Sequence, residues 1–203
     1  MFDSSQLQDQ DDLVLLNRFF KGNCDAFALI YNKYANDLMA YGAGWGVDRE
    51  TLKDAVQDVF YKLYSNRKSF EKATNLKFYL IRSLKNRILD IRKSTVETAN
   101  IEGVEFSIQP IVTDALIEEE DRKAVEEQIG VYLSLLTGRQ REAIYLRFIE
   151  EMDYEEIARI LDMTAPAVRK LVCRGIARLR VEKMNYLPLY LLLLKAGSLF
   201  DIS

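Results

Sequence analysis

Arg169, Lys170, Arg174, Arg178 and Arg180 fall on one arc when the chain is wound at about 100° per residue. Guanidinium and ammonium groups ranged along a helix do one chemical job well: they donate hydrogen bonds to phosphate oxygens and neutralise them, without covalent change. A second basic set follows the same logic, with Arg82, Lys85, Arg87, Arg92 and Lys93 crowded around the amide of Asn86 and the single acid Asp90. Basic groups and amides beside an aromatic-containing loop suit single-stranded or unstacked DNA. Asp54 and Asp58 stand one helical turn apart with Gln57 close by, a spacing open to metal ligation or acid–base work. The chain has no histidine and no further acid cluster beside them, so a solvated or protein-docking face is the better reading. Its cysteines, Cys24 and Cys173, support neither a Cys/His metal site nor a disulfide framework, and two lone thiols suit a reducing, cytoplasmic setting. No nucleophile–base grouping stands out. The residues point away from an enzyme, a resident cofactor, a metal or a small-molecule substrate.

The elements that would position the first basic arc lie between Asp153 and Lys183. Asp153 and Glu156 have the spacing of a capping box, and Ile157, Ala158 and Leu161 give the following helix an inward stripe. Asp162, Met163 and Thr164 form a break, with Thr164 a suitable N-cap and Pro166 tolerated in the first turn of the next helix. Val168, Leu171, Val172, Ile176 and Leu179, with Gly175 among them, fall opposite the basic arc. This is a helix–turn–helix division, one face for packing and one for the major groove. Thr164, Pro166, Ala167, Arg169, Lys170, Arg174 and Arg178 are the candidate contacts to duplex DNA.

Upstream, the periodicity predicts only helices. Leu13, Leu16 and Phe20 mark a short one stopped at Gly22, and Phe27, Ile30, Tyr31, Tyr34, Leu38 and Tyr41 mark a longer one. Leu52, Ala55, Val56, Val59, Phe60 and Leu63 form the inner face of a helix from Thr51 to Tyr64. Leu80, Ile81, Leu84, Ile88 and Ile91 do the same for Leu76 to Lys93. Thr137 and Gln140 are a second capping-box pair, opening a helix from Gly138 to Ile149. The expected fold is all-α: a polar tail at 1–11, a helical domain at 12–94, a flexible acidic linker at 95–125, a second helical domain at 126–183, and an apolar tail at 184–203. Charge supports the division. Lys and Arg number 28 against 31 Asp and Glu, a net of −3, yet Ser94 to Glu127 alone carries ten acids and two bases. Two basic patches are thus separated by an acidic tether, which competes for them when the chain is free. The tail's nine uncharged residues from Tyr186 to Leu194 fall far short of the roughly 20 that a membrane span needs. They read as packing on the second domain, or as a docking segment for a partner.

These segments, in this order, resemble the bacterial RNA polymerase sigma factors of the extracytoplasmic-function (ECF) type. DAFALIYNKY looks like the start of the family's region 2, and LKDAVQDVFYKLY is similar to the helix that grips the polymerase clamp. LKFYLIRSLKNRILDIRK resembles the segment that melts and reads the −10 element, and LTGRQREAIYLRFIEEMDYEEIARILDMTAPAVRKLVCRGIARLR resembles region 4, which reads the −35 element. The resemblance implies core-polymerase contacts at Asp54, Gln57, Asp58 and Phe60. It implies −10 contacts at Arg82, Lys85, Asn86, Arg87 and Asp90, with a flipped base held in the loop around Asn66 to Asn75. Arg169, Lys170 and Arg174 match the basic positions of the −35 helix. The chain departs from the pattern in carrying Tyr79 for a Trp, Leu76 for an aromatic residue, and Ala165-Pro166-Ala167 for a more polar helix start.

The function implied is a sigma factor that binds core RNA polymerase, recognises promoter DNA and opens it. Its partners are core polymerase and promoter DNA, together with an anti-sigma factor, in many family members membrane-tethered. A polymerase-independent helix–turn–helix regulator is the competing reading, and it leaves the clamp-like helix and the second basic patch without a task.

Overall fold

A computed structural model describes residues 12–65, 75–96, 105–108 and 129–181. The polar start at 1–11, the loop at 66–74, most of the acidic connector and the apolar tail lie outside the described residues, as does the Arg180 side chain. The described elements are helical: α1 (Asp12–Phe20), α2 (Cys24–Ala43), α3 (Arg49–Ser65), α4 (Leu76–Val96), a helical stretch at 129–134, α5 (Gly138–Phe148), α6 (Tyr154–Leu161) and α7 (Ala165–Val181). They fall into two units. The first holds α1 to α4, and the second holds residues 44–46, 105–108 and everything described from 129 onward.

In the first unit, α2 packs on α1, α3 and α4, and α3 packs on α4. The junction between α1 and α2 is set by backbone chemistry. Gly22 takes φ +91°, a left-handed value that side chains disfavour, while its N–H and that of Asn23 return to the carbonyls of Phe19 and Arg18. The Asn23 carboxamide oxygen then accepts from Ala26 N and starts α2. Asp12 clasps the pair, accepting from Lys33 Nζ at 2.8 Å and from the Tyr34 hydroxyl. All six residues expected on the inner face of α3 are buried, and so are Leu80, Ile81, Leu84 and Ile88 of α4. For α1 the inward face differs from the expectation. Leu15, Leu16 and Phe19 are buried whereas Leu13 is exposed. Asp48 caps α3, where the hydroxyl and N–H of Thr51 hold its carboxyl below the usual value. That contribution is present above the ordinary carboxylate range and fades as pH falls through the lowered value.

In the second unit, α5, α6 and α7 pack pairwise. Both expected capping boxes are present. Thr137 Oγ1 accepts from Gln140 N while Gln140 Oε1 accepts from Thr137 N, and Asp153 and Glu156 make the same reciprocal pair at the start of α6. Asp162 ends α6 at φ +51°, and the turn leads at once into α7. Gly175 lets α7 lie close on α5, for a Cβ there would sit 2.8 Å from Ile144 Cδ1. Within the predicted linker, residues 105–108 are packed rather than free, with Phe106 and Ile108 buried. Phe106 is buried edge-on to Tyr145, Glu105 accepts from Gly138 N and Arg141, and Arg141 Nε donates to the Phe106 carbonyl. The buried apolar side chains of Phe106 and Ile108 are what this stretch contributes to packing.

Losing a capping-box acceptor typically costs about 1 kcal/mol. Asp153→Ala should therefore lower the unfolding free energy by about that amount, read from the urea midpoint at constant m-value. An unchanged midpoint would show that the turn before α6 is held by its flanking packing alone.

Candidate nucleic-acid interface

α7 buries Val168, Val172 and Leu179 and leaves Leu171 and Ile176 half-buried at the margin. Burying that arc against α5 and α6 forces the opposite one outward, where Arg169, Lys170, Cys173 and Arg174 are exposed. At the helix start, Thr164 and Pro166 are exposed and Ala167 is half-buried, so the first turn offers small, featureless surface beside the charges. Arg178 is a correction. Its guanidinium turns back onto the bundle, donating to Gln140 Oε1 at 3.2 Å and to the Leu135 carbonyl at 3.4 Å. Its charge anchors the end of α7, so it does not extend the outward row.

On the first unit, Arg82, Asn86 and Asp90 are exposed on α4, and Lys85 is half-buried. The Arg82 guanidinium lies 5.9 Å from the Phe78 ring centroid. The Asn75 side chain accepts from Phe78 N and begins the helix, so the described end of the expected base-holding loop is a helix cap. Arg87 is engaged within the unit. Its Nε and Nη2 each donate to Asp58 Oδ2 at 2.8 Å, joining α4 to α3. Two residues expected to meet different partners thus meet each other.

On α3, Asp54 and Gln57 are exposed and Asp58 is half-buried. Phe60 is a second correction. Only 2% of it is exposed, and its ring packs against Phe27 and Tyr31, so it supports this face from beneath without forming part of it. The next residue, Tyr61, is 70% exposed, and Tyr64 and Tyr31 reach the surface nearby. The sequence signal for Tyr61 was available, since it falls outside the buried stripe of α3. Sequence reasoning also passed over Arg147 and Tyr154 in the second unit. The Arg147 guanidinium lies 5.0 Å from the Tyr154 ring centroid and that of Arg169 lies 5.1 Å from it.

The arrangement can grip phosphate, present a helix to a groove and offer an acidic, aromatic face to a protein. The described residues hold no group of His, Cys, Asp and Glu able to bind a metal ion, and none of their helices is long and apolar enough to cross a membrane. Comparison with known proteins agrees in both units. Residues 30–96 match sigma-70 region 2 and residues 126–179 match sigma-70 region 4, together more than half of the chain.

The chain belongs to the ECF sigma factors.

This sigma factor is 23% identical over 152 residues to the ECF sigma factor SigM of Bacillus subtilis, a match spanning 74% of this chain and 91% of SigM. It is 28% identical over 171 residues to SigW of the same organism, spanning 80% of this chain and 91% of SigW. Among solved structures, the sigma factor RpoE of Bartonella quintana, in complex with the anti-sigma factor NepR, aligns with a TM-score of 0.56 at 25% identity, over 78% of this chain and 98% of that one. CnrH, solved with the cytosolic domain of CnrY, has the same fold, with a TM-score of 0.57 at 20% identity, over 84% of this chain and 95% of that one.

The sigma factor's Asp58–Arg87 pair is open to solvent at both ends, with side-chain exposures of 45% and 39%. Water screening keeps such pairs below about 1 kcal/mol. A double-mutant cycle with Asp58→Asn and Arg87→Gln, followed by denaturant unfolding, should return a coupling within that limit. A coupling of several kcal/mol would mean that the pair is buried in solution.

Proposed function

We propose that this sigma factor, seated on core RNA polymerase, reads both promoter elements and holds the −10 segment open. The observation that carries the reading is α7 itself: a capped helix–turn–helix whose inner arc is buried and whose outer arc exposes Arg169, Lys170 and Arg174. In this reading α7 lies in the major groove of the −35 element with its basic groups on phosphates. Ala165, Pro166 and Ala167 offer no side-chain hydrogen bonds, so sequence is sensed there through thymine methyls and groove shape.

The α4 surface of Arg82, Lys85, Asn86 and Asp90 takes the unstacked −10 bases, favouring the open duplex by binding it. Arg87 joins that surface only by exchanging Asp58 for phosphate. Asp54, Gln57 and Asp58, with Tyr61 added, form the face that docks on polymerase. The chemistry of RNA synthesis belongs to the polymerase. The chain's task is to bring two patches to bear together, each raising the other's effective concentration once both are anchored. Such a protein works in the cytoplasm, where polymerase and chromosome are. RpoE of Bartonella quintana was solved with an anti-sigma factor, and we extend a regulatory partner of that kind to this chain.

Run-off transcription with purified core polymerase on genomic fragments tests the whole reading, and discrete transcripts dependent on the chain are expected. RNA from no template would end it, and a footprint made by a dimer without polymerase would favour an independent regulator. Arg174→Ala should weaken upstream-element binding across sequences and flatten the slope of log affinity against log salt by about one. Asp54→Lys should abolish co-purification with core polymerase while leaving the circular-dichroism spectrum unchanged. It isolates docking better than a change at Asp58, because Asp58 also holds Arg87.

A further inference from the structure

Residues 105–108 are seated on the start of α5. Glu105 sets its carboxylate on the first turn, accepting from Gly138 N at 2.8 Å and from Arg141 Nη2 at 2.9 Å. A helix N-terminus, with its free N–H groups, favours such an anion. Gly138 lets it approach, since a Cβ there would stand 2.4 Å from the Glu105 Cβ. Arg141 Nε donates to the Phe106 carbonyl at 2.7 Å, so one guanidinium holds both backbone and carboxylate. Phe106 is buried edge-on to Tyr145, and Ile108 is buried as well. The second unit thus carries a seat for an acidic residue followed by an aromatic one, and the chain fills it with its own tether.

Occupying that seat shortens the tether. Residues 97–104 alone lie between the end of α4 at Val96 and Glu105, against 97–137 when the seat is empty. At about 3.4 Å per residue the short tether spans at most about 30 Å, and the long one about 140 Å. Positions −10 and −35 lie about 25 base pairs apart, or about 85 Å of duplex at about 34 Å per ten base pairs. Adding about 15 Å of α4 beyond Asn86 and about 25 Å for the breadth of the second unit brings the seated chain's reach only to about 70 Å. The seated tether is too short for both elements. The empty seat leaves ample reach.

We propose that Glu105–Ile108 is a latch, seated on α5 in the free chain and released when the chain takes both promoter elements. The inference rests on the two-element reading of the promoter and adds the step that must precede it. The latch is held weakly enough to open. The Glu105 side chain is 58% exposed, so water screens its ion pair with Arg141. What Phe106 and Ile108 gain by burial is offset by the cost of fixing the backbone that carries them. While the latch is seated, apparent promoter affinity falls in proportion to the fraction of chains whose tether is free.

The test uses the full chain assembled with core polymerase on a fragment where that holoenzyme initiates. Phe106→Ala, which empties the seat, should raise promoter-complex affinity several-fold at fixed salt. Glu105→Ala should act in the same direction while leaving the apolar packing in place. A strap that serves packing alone would lower affinity in both, so a rise in neither variant overturns the latch. A second arm closes it by force. In a chain carrying Cys24→Ser and Cys173→Ser, Glu105→Cys and the exposed position of Arg139→Cys place one thiol on the strap and one beside its seat. A cleavable bismaleimide bridging them should cut run-off RNA by about tenfold relative to the same chain capped with a monofunctional maleimide, and reductive cleavage should restore it. Equal RNA from bridged and capped chains also overturns the latch. Should the cysteine variant itself be inactive, the two alanine variants decide alone. If the unaltered chain yields RNA from no fragment, the promoter reading falls and takes the latch with it; if the unaltered chain initiates and neither arm responds, only the latch falls.

Discussion

The second unit depends on the burial of one arc of α7. Val168, Val172 and Leu179 are closed off from water against two other helices, and the hydrophobic gain fixes the rotation of α7 about its own axis. With the rotation fixed, Arg169, Lys170 and Arg174 have only one direction in which to point. Gly175 contributes by subtraction, because its missing side chain lets α7 settle onto Ile144. The charges are arranged by apolar contacts on the opposite side of the same helix, and no ion pair is needed to aim them.

That division of labour explains what could be read from sequence. In α3 and α7 charged and apolar residues alternate at helical spacing, so period alone identifies the inner face, and the residues it names are buried or marginal. The two capping boxes were legible for a similar reason, since three-residue spacing and residue type are both local. The segment DLVLLNRFF of α1 is apolar almost all round, and period cannot choose between Leu13 and Leu15; contact with α2 makes the choice. Residue type also misled where direction mattered. Phe60 matches a docking motif but points inward, and Arg178 continues a basic row but reaches back to Gln140. Arg147, Tyr154 and Arg169 meet only after three helices have packed, so no spacing rule joins them.

Electrostatics in the first unit are arranged differently. Asp58 and Arg87 face one another across α3 and α4 while half-open to water, so neither is committed strongly. Charged surfaces of this kind remain exchangeable: under the proposed function, a carboxylate engaged by polymerase would release an arginine to DNA. Asp12, by contrast, accepts from both Lys33 and Tyr34 and belongs to the scaffold. The unit thus keeps its firmest polar contacts away from the faces assigned to partners.

Gln140 carries a further consequence. Its side-chain oxygen accepts from Thr137 N at 3.1 Å and from Arg178 at 3.2 Å, so one atom links the start of α5 to the far end of α7. A lesion there is pleiotropic. An aliphatic residue at 140 would loosen two ends separated by most of the domain's sequence, leaving the first to the Thr137 hydroxyl and Glu105 and the second to the Leu135 carbonyl. Drift at this position is constrained by a partner three residues away and by another 38 residues away at once.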